Sequence, residues 1–392
     1  MNSPTAPAAQ RPAQPLAGVR VIEFCNVAAG PFCGMLLADL GADVVKVESH
    51  QGDALRQWPP ITQGFSENFA SLNRNKRSIA LNLKDAADAE VARKLIHSAE
   101  VVIENNRPGV MARLGLGYAD FSAARPDLIY CSMSAFGQEG PRAQQGGFDV
   151  TIQAISGIMS VTGEPDGAPV KCGVPVSDFS AGLYAAFAVS ALLAQVRAGG
   201  PGGYIDVPMM GVSLAIAALQ TSELFGTGKD PHKLGAAHPR NAPYDAFQAK
   251  DGYFVLAAGN DELWKTVCDI VGRQDLVEDT RFLTTTDRAA NQAVLKEMLE
   301  QVFVTRTAAE WLATFADRGV PCGPINTYSA AVSDPQVVEM GWVQPLTLPN
   351  GTPTQTFASP LRIDGTTPPI RLGPPELDAH RNELLREILD RR

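Results

Sequence analysis

The sequence lacks the signatures of several common kinds of site. It has six cysteines among 392 residues and no CxxC pair, and its five histidines do not fall at metal-ligand spacing. This pattern predicts neither a zinc site nor a disulfide framework, so we expect reduced thiols in the cytoplasm. No GxGxxG, GxxxxGK[ST] or GxSxG occurs, which argues against a dinucleotide fingerprint, a P-loop and a serine-hydrolase elbow.

The chain also lacks a basic excess and a long apolar run. Its net charge of -9 offers no general attraction to nucleic acid or to an anionic membrane, and we expect neither as a partner. Residues 179–196 form an uncharged, Ala-rich stretch just short of the roughly 20 residues that span a bilayer, which predicts a buried helix. Residues 1–16, rich in Pro, Ala and Gln without an apolar core, are expected to form a disordered tail.

What the first half of the chain does contain is an alternation of short apolar strands and helices. Helices are predicted at 32–40, at 84–99 and after residue 178, and strands at 19–24, 44–48, 101–103, 128–132 and 204–207. Such alternation is typical of an α/β protein with right-handed crossovers. We therefore predict a Rossmann-like large domain with an open parallel sheet over residues 17–224.

The composition changes at about residue 225. The following text is rich in Gly, Pro and His, and then gives a strand near 252–258 and amphipathic helices near 261–272 and 289–304. This predicts a smaller α+β domain over 225–330. Residues 331–392 hold nine of the 29 prolines, and we expect an extended return to the large domain that ends in a helix at 376–391.

Loops rich in basic residues and Asn follow several of the predicted strands. They lie at 73–78, 81–84 and 105–109, with Arg113 nearby. Open α/β sheets bind ligands at the carboxyl ends of their strands, and clustered cations in an acidic protein suit a phosphate-bearing ligand. Each loop taken by itself is more typical of solvated surface than of a ligand site.

Asp178 lies immediately before the apolar helix, within the segment 172–182. The commonest role of an Asp at such a place is a helix N-cap. The same place would also suit a nucleophile, because the helix dipole favours the ionised carboxylate and backbone N–H groups could stabilise an oxyanion. The local sequence leaves both roles open.

Six blocks of sequence resemble the class III CoA-transferase family, which contains formyl-CoA transferase and carnitine CoA-transferase. They stand in the family's order from about Leu16 to the C-terminus, at 39–48, 75–79, 104–109, 134–137, 175–182 and 319–324. The resemblance implies that Asp178 is the covalent nucleophile and that coenzyme A is a substrate carrier, with no permanently bound cofactor and no metal. It also implies an interlocked, ring-shaped homodimer that uses a small-molecule acyl-CoA and a carboxylic acid.

The same resemblance implies a set of CoA-binding residues: Ala28, Ala29, Leu81, Asn82, Leu83, Lys84, Asn105, Asn106, Arg107, Arg113, Ser134, Ala135, Phe136 and Gly137. Two positions depart from formyl-CoA transferase. Ala28 stands where that enzyme has Gln, which argues against oxalate as the acceptor. Ser49 replaces an Arg that contacts phosphate, for which His50 or Arg56 could substitute.

Segments 238–260 and 319–326 are most similar to members that transfer CoA from succinyl-CoA to a dicarboxylate such as glutarate. We expect Arg142, His238 and Arg240 to pair with the distal carboxylate of the acid, although His238 could equally cap a turn. The loop beginning near Gly226 is the candidate lid.

Two other functions remain as alternatives. One is an α-methylacyl-CoA racemase of the same fold, which has a His where this chain has Phe148. Without that imidazole, two-base proton transfer at the α-carbon is disfavoured. The other is a non-catalytic CoA-binding protein.

Overall fold

A computed structural model describes residues 14–390, except for the side chain of Asp390. Most of the predicted tail, residues 1–13, therefore lies outside the described residues. The last tail residue, Leu16, belongs to the folded core, because its side chain is buried and its N–H donates to the carbonyl of Leu40 (2.9 Å).

The chain divides into two compact units. The large unit comprises the chain up to Ile158, Lys171–Thr227 and the chain from Gln336 onward, and the small unit comprises Met159–Val170 and Gly228–Pro335. The composition change had placed the bounds of the small domain at 225 and 330, and it gave no sign that residues 159–170 belong to the small unit.

The described residues contain thirteen strands and seventeen α-helices. The strands are β1 (Arg20–Phe24), β2 (Asp43–Glu48), β3 (Ile61–Thr62), β4 (Phe65–Ser66), β5 (Lys76–Ala80), β6 (Val101–Glu104), β7 (Ile129–Ser134), β8 (Gly203–Pro208), β9 (Tyr244–Gln248), β10 (Tyr253–Ala257), β11 (Cys322–Pro324), β12 (Val343–Thr347) and β13 (Pro353–Phe357). The helices are α1 (Ala29–Asp39), α2 (Glu67–Asn73), α3 (Ala86–His97), α4 (Val110–Arg113), α5 (Tyr118–Phe121), α6 (Asp149–Ile155), α7 (Val176–Arg197), α8 (Met209–Ile216), α9 (Ala218–Thr227), α10 (Asp261–Val271), α11 (Asp275–Glu278), α12 (Thr285–Ala290), α13 (Gln292–Phe303), α14 (Ala308–Asp317), α15 (Tyr328–Val332), α16 (Pro335–Met340) and α17 (Arg381–Asp390).

The large unit is built on a six-stranded parallel sheet with the order β5-β2-β1-β6-β7-β8. The predicted open parallel sheet is confirmed. The chain winds outward in one direction from β1 and then in the other from β6, so the carboxyl ends of β1 and β6 form the topological switch point where such sheets bind ligands. Every residue of β1, β5, β6 and β7 is buried, because helices cover both faces of the sheet.

Helix α7 is the main helix on one face of the sheet. Its buried residues Ala181, Ala185, Val189 and Leu193 recur every four positions and therefore form one stripe, which packs with α1 over the sheet. Gly182 permits this close approach, since a Cβ there would lie 2.7 Å from the carbonyl oxygen of Ala29. Helices α3 and α17 cover the opposite face.

The basic segment 73–78 is not a ligand-binding loop, and that prediction is wrong. Its second half begins strand β5, at the end of the strand opposite to the ligand edge. The three cations are buried and paired with carboxylates inside the protein: Arg74 with Asp39 (2.6 Å), Lys76 with Glu23 (2.8 Å) and Arg77 with Asp43 (2.7 Å). Such pairing is what makes buried charge tolerable, and it leaves no cation for a phosphate.

The C-terminal return covers the outer edge of β5. The N–H groups of Asn75, Ser78 and Ala80 donate respectively to the carbonyl of Leu372 (2.9 Å), to Nδ1 of His380 (3.2 Å) and to Oδ1 of Asp378 (2.7 Å). An uncovered edge strand invites pairing with other chains, so this segment completes the fold of the large unit. Helix α17 begins at Arg381, five residues later than predicted.

The small unit has an antiparallel sheet with the order β11-β10-β9. Helices α10, α13 and α14 pack on it, and the aromatic residues Phe254, Trp264, Phe303, Trp311 and Phe315 fill the core. Strand β11 includes Gly323 and Pro324, which belong to the block of resemblance at 319–324.

Candidate active site

Asp178 occupies the third position of helix α7 rather than its cap. The N-cap residue is Pro175, which supplies no side-chain hydrogen bond, so the N-cap interpretation of Asp178 is wrong. Within residues 14–390 the Asp178 carboxylate accepts no hydrogen bond, and only its own N–H is engaged. The side chain is half-buried at the positive end of a 22-residue helix, and it remains available for chemistry.

Asp149, the first residue of α6, caps α7 from outside. Its Oδ1 accepts from the N–H groups of Ser177 (2.9 Å) and Asp178 (3.4 Å), and its Oδ2 accepts from Nε2 of Gln153 (2.6 Å). The buried Gln153 in turn accepts from the N–H of Cys172 (2.8 Å). Helix α6 therefore holds both the segment before α7, at Cys172, and the first turn of α7, at Ser177 and Asp178.

This arrangement perturbs the acidity of Asp178. Burial, reinforced by the negative charge of Asp149, raises the pKa of Asp178 to about 7. A large fraction of the carboxylate is therefore ionised at neutral pH, and its basicity is greater than that of an exposed Asp. Both properties suit a nucleophile that must attack and later be released.

Two hollows open at the carboxyl ends of the sheet strands, which we call the carboxyl edge. The first, of about 420 Å³, is lined by Phe24, Asn26, Val47, Glu48, Ser49, His50, Gln51, Leu81, Asn82, Leu83, Lys84, Asn106 and Leu114. The second, of about 390 Å³, is lined by Asn105, Asn106, Arg107, Pro108, Ser134, Ala135, Gln145, Gly146, Gly147, Phe148 and Thr151. They lie on either side of Asn106 at the switch point, and we call the two hollows together the trough.

The trough brings together nine of the fourteen residues predicted to bind CoA. These are Leu81, Asn82, Leu83, Lys84, Asn105, Asn106, Arg107, Ser134 and Ala135. The other five do not line it. Ala28 and Ala29 lie where the chain enters α1, Arg113 ends α4, and Phe136 and Gly137 lie in the turn after β7.

The two asparagines of the switch point hold the loops after β1 and β6 together. The side chain of Asn105 accepts from the N–H of Asn26 (2.9 Å) and donates to its carbonyl (2.8 Å). Asn106 donates to the carbonyl of Phe24 (3.2 Å). Each amide NH2 group has two N–H donors and uses one of them in this contact, which fixes the orientation of both side chains at the trough.

Three exposed cations lie at or beside the trough without a carboxylate partner among the described residues: Lys84, Arg107 and Arg113. Arg56 is not a fourth. Its guanidinium binds both carboxylate oxygens of Glu48 (2.7 Å each) and lies 3.8 Å from the ring centre of Phe69, so the idea that it replaces the missing phosphate contact is wrong. His50 does line the first hollow.

The residues predicted to bind the acid lie in both units. Arg142, in the large unit, is exposed beside the ring of Phe136. His238, in the small unit, caps a turn, because its Nδ1 accepts from the N–H groups of Arg240 (3.2 Å) and Asn241 (3.1 Å). Burial and the charge of Arg240 lower the pKa of His238. A neutral His238 that accepts at Nδ1 carries its proton on Nε2, which can donate to a carboxylate.

Sequence reasoning missed Asp149 as a residue of the site. The sequence pointed only to its neighbour Phe148, which stands where the racemase has a His. Phe148 itself is 74% exposed and lines the second hollow. A signal for Asp149 did exist. Pro175 offers no side-chain acceptor to the first N–H groups of α7, so this helix needs a capping residue from elsewhere, and an Asp in a nearby polar segment is a candidate.

Comparison with known proteins extends over both units. Residues 16–381 match the model of the family described as CoA-transferase family III. The chain is 36% identical over 382 residues to the succinate–glutarate CoA-transferase of Agrobacterium fabrum (95% of this chain, 96% of that protein) and 39% identical over 388 residues to the acetyl-CoA:oxalate CoA-transferase of Acetobacter aceti (98% of each). The crystal structure of a CAIB/BAIF family protein from Brucella suis matches with a TM-score of 0.85 at 37% identity, covering 96% of this chain and 100% of that one.

Proposed function

The chain belongs to CoA-transferase family III, and on this premise we propose that it moves CoA from succinyl-CoA to a dicarboxylic acid through covalent intermediates on Asp178. The observation that carries the proposal is the half-buried Asp178 carboxylate at the start of α7, which accepts no hydrogen bond within residues 14–390 and has a pKa of about 7. Incubation with succinyl-CoA and then hydroxylamine tests it. A hydroxamate at Asp178 would support the covalent route, and an unmodified Asp178 would contradict it.

In the first half of the cycle an Asp178 oxygen attacks the thioester carbonyl of succinyl-CoA. The carbon–sulfur bond breaks, leaving a mixed anhydride of Asp178 with succinate and the CoA thiolate. The thiolate then attacks the aspartyl carbonyl and expels succinate, which gives a β-aspartyl-CoA thioester. The energy of the thioester is thus retained on the enzyme.

In the second half the acceptor carboxylate attacks the aspartyl thioester and releases the CoA thiolate. The thiolate attacks the acyl carbonyl of this new anhydride, which yields the product thioester and regenerates Asp178. No net proton, electron or water is consumed. Water must be excluded, because it would hydrolyse either anhydride.

We place CoA along the trough of the carboxyl edge. The cations Lys84, Arg107 and Arg113 are proposed to hold its phosphates, since they lack internal carboxylate partners among the described residues. The remaining predicted contacts, Ala28, Ala29, Phe136 and Gly137, follow closely in sequence after the lining residues Asn26 and Ala135. CoA would enter and leave as a substrate.

The rate of CoA transfer is expected to depend on pH through Asp178. Because the folded-state pKa is raised to about 7, the ionised nucleophile is lost as the pH falls below 7, and kcat/KM for succinyl-CoA should fall with it. Asp149→Asn removes the nearby negative charge but keeps a capping oxygen, so the inflection should move to lower pH. Burial is the larger cause of the raised pKa, so the inflection should remain above the ordinary Asp range.

The measurement is kcat/KM for succinyl-CoA between pH 5 and 9 for both proteins. Asp127→Asn, which changes a surface carboxylate paired with Arg125 (2.8 Å), is a control for net charge. An inflection that stays unchanged in the Asp149 variant would show that Asp149 does not tune the nucleophile.

A dicarboxylate acceptor is supported by the names of two relatives, one for glutarate and one for oxalate. We favour glutarate, because Ala28 stands where formyl-CoA transferase has Gln and because 238–260 and 319–326 resemble glutarate-using members. Oxalate is the second candidate, favoured by the 39% identity to the Acetobacter aceti enzyme. A panel of acids from two to six carbons, assayed with succinyl-CoA, separates the two.

Two groups of cations should have separable effects on substrate binding. Replacing Arg142 or Arg240 by Gln is expected to raise KM for the acid about 10-fold while KM for succinyl-CoA changes less, because these side chains are proposed to pair with the distal carboxylate. Replacing Lys84 or Arg107 by Gln should instead raise KM for succinyl-CoA more than KM for the acid. Steady-state kinetics with each substrate varied in turn is the measurement, and equal effects on both constants would contradict the assignment.

We further propose that the enzyme is an interlocked homodimer in the cytoplasm. Five apolar residues of α7 and α9 are more than two-fifths exposed in the single chain: Leu183, Tyr184, Phe187, Leu219 and Phe225. By length and hydropathy α7 would also qualify as a membrane-spanning helix, a property that it shares with core helices of soluble proteins. A second copy would bury these side chains. Sedimentation equilibrium tests the dimer.

A further inference from the structure

The three residues that precede Ala28 and helix α1 are held in place by side chains from elsewhere in the large unit. Nζ of Lys46 donates to the carbonyl of Cys25 (2.8 Å), and Asn105 bonds both backbone groups of Asn26. The N–H of Val27 points between the carboxylate oxygens of Asp53 (3.1 and 3.3 Å). The segment is therefore fixed residue by residue, although it is neither helix nor strand.

Val27 has a backbone conformation that a β-branched residue rarely adopts. Its φ is +65°, in the left-handed region, where Cβ crowds the backbone. Such a conformation persists only where the surroundings impose it, and it is found most often at functional sites. In this structure the group that engages the Val27 N–H is Asp53.

Asp53 is itself part of a buried group of charges. Its Oδ2 lies 2.9 Å from Nζ of Lys46, which also lies 3.0 Å from Oε1 of Glu23, and all three side chains are completely buried. Asp53 also caps the short 3-10 helix Ala54–Gln57 by accepting from the N–H of Leu55. An ion pair without access to water has little freedom to rearrange, so the position of the Asp53 carboxylate is well defined.

The segment that Asp53 contacts continues into α1, which packs against α7, the helix that carries the proposed nucleophile. The ring centres of Phe32 in α1 and Phe179 in α7 lie 4.7 Å apart, and a Cβ on Gly182 would touch the carbonyl of Ala29. Asp178 is four residues before Gly182, hence on the same face of α7 and about one 5.4 Å turn away. The entry of α1 thus packs against α7 about one helical turn from Asp178.

We propose that Asp53 is a positioning residue for CoA transfer: its buried carboxylate, paired with Lys46, holds Val27 in the left-handed conformation that fixes the entry of α1 beside Asp178. This inference rests on the proposed role of Asp178. It has a specific consequence: the loss of activity on replacing Asp53 should shrink when residue 27 can adopt a positive φ without strain.

The test measures the effect of Asp53→Asn in three backgrounds: the unaltered chain, Val27→Ala and Val27→Gly. Oδ1 accepts from the N–H groups of both Leu55 and Val27, so Asn keeps a neutral acceptor for both, whereas it removes the negative charge that strengthens these bonds and the ion pair with Lys46. Ala removes the Val side chain but keeps the Cβ, whereas Gly also removes the conformational penalty. Each single Val27 variant is the reference for its own double variant, as in a double-mutant cycle.

With succinyl-CoA and glutarate as substrates, Asp53→Asn should lower kcat about 10-fold or more in the unaltered chain and in the Val27→Ala background, with a smaller change in KM. In the Val27→Gly background the loss should shrink to about threefold or less. Equal losses in all three backgrounds, with melting temperatures showing folded protein, would overturn the proposal, as would wild-type kinetics for Asp53→Asn alone.

If Asp53→Asn is insoluble, Asp53→Asn combined with Lys46→Gln supplies a neutral buried pair in the same three backgrounds. Because Lys46→Gln also removes the hydrogen bond to the carbonyl of Cys25, Lys46→Gln alone is then the reference in each background. The hydroxylamine experiment on the unaltered protein is independent of these variants. Failure to label Asp178 there would sink the covalent route, whereas failure of the rescue by Val27→Gly would sink only the role of Asp53.

Discussion

Replacing Asp178 by Asn should lower the rate of CoA transfer by about 10³-fold or more, because an amide oxygen forms no mixed anhydride. The side chain keeps its size, and Asp149 continues to cap α7, so CoA binding should survive. The measurements are steady-state transfer from succinyl-CoA and the mass of the hydroxylamine-treated protein. Asp275→Asn, in the first turn of α11, is the matched control and should behave as the unaltered protein.

A residual rate of more than a tenth of the unaltered rate, or a hydroxamate that maps to another carboxylate, would show that Asp178 is not the nucleophile.

Protein stability offers an independent check of the raised pKa of Asp178. The folded-state pKa of about 7 lies above the ordinary value of 3.8, so the folded protein binds this proton more tightly than the unfolded chain does. The stability that this provides is present below about pH 4 and is lost as the pH rises towards 7.

Above pH 7 the half-buried Asp178 carboxylate is ionised and destabilises the folded protein, and Asp178→Asn removes this destabilisation. We expect its melting temperature to exceed that of the unaltered protein by a few degrees at pH 8 and by little at pH 4. Active-site groups commonly cost stability in this way. A melting temperature that changes equally at the two pH values would contradict the raised pKa.

The second large effect is expected from Gly34→Ala in helix α1. A Cβ at this position would lie 1.9 Å from Oε2 of Glu23 and 3.3 Å from Nζ of Lys76. Both are completely buried, and the ion pair between them cannot move aside without losing its partners. Although Ala normally favours a helix over Gly, here overpacking should dominate, at a cost of roughly 3 kcal/mol or more.

Soluble expression and thermal unfolding measure this effect. Gly226→Ala is the matched control, because it also lies in a helix, its φ is not positive, and a Cβ there meets no atom within 4 Å. It should be neutral or slightly stabilising. A Gly34→Ala protein that melts within a degree of the unaltered chain would show that the buried charges can rearrange.

The elements that sequence patterns predicted best are those whose signal is local. Strands β1, β2, β6, β7 and β8 were each predicted within a few residues. For β1, β2, β6 and β7 the signal is a short run of mostly apolar residues bounded by turns, which is typical of buried strands, whereas the half-exposed edge strand β8 was marked by the glycine-rich turn before it. Strand β5 was missed. Its Lys76 and Arg77 suggested a loop, and only the carboxylates of β1, β2 and α17, brought together by folding, make a buried charged strand possible.

The site divides in the same way. Asp178 was identified through blocks of resemblance that lie along the chain, and nine of the fourteen proposed CoA contacts meet in the trough because they follow neighbouring parallel strands. Asp149 and Asp53 were not identified as site residues. The first acts on a helix that begins 27 residues later, and the second on a loop 26 residues earlier, distances over which no periodic pattern extends.

The sequence by itself determined the α/β class, the parallel sheet, the family and the identity of the proposed nucleophile, because apolar periodicity and ordered motifs are properties of the chain. The tertiary structure decided which charged side chains are exposed near the proposed ligand site and which are buried in ion pairs. Lys84, Arg107 and Arg113 lie at the carboxyl edge, whereas Lys46, Lys76 and Arg77 are paired beneath it. The physical reason is that a charge acquires its role from its partners and its distance from water, and both are set only when remote segments pack together.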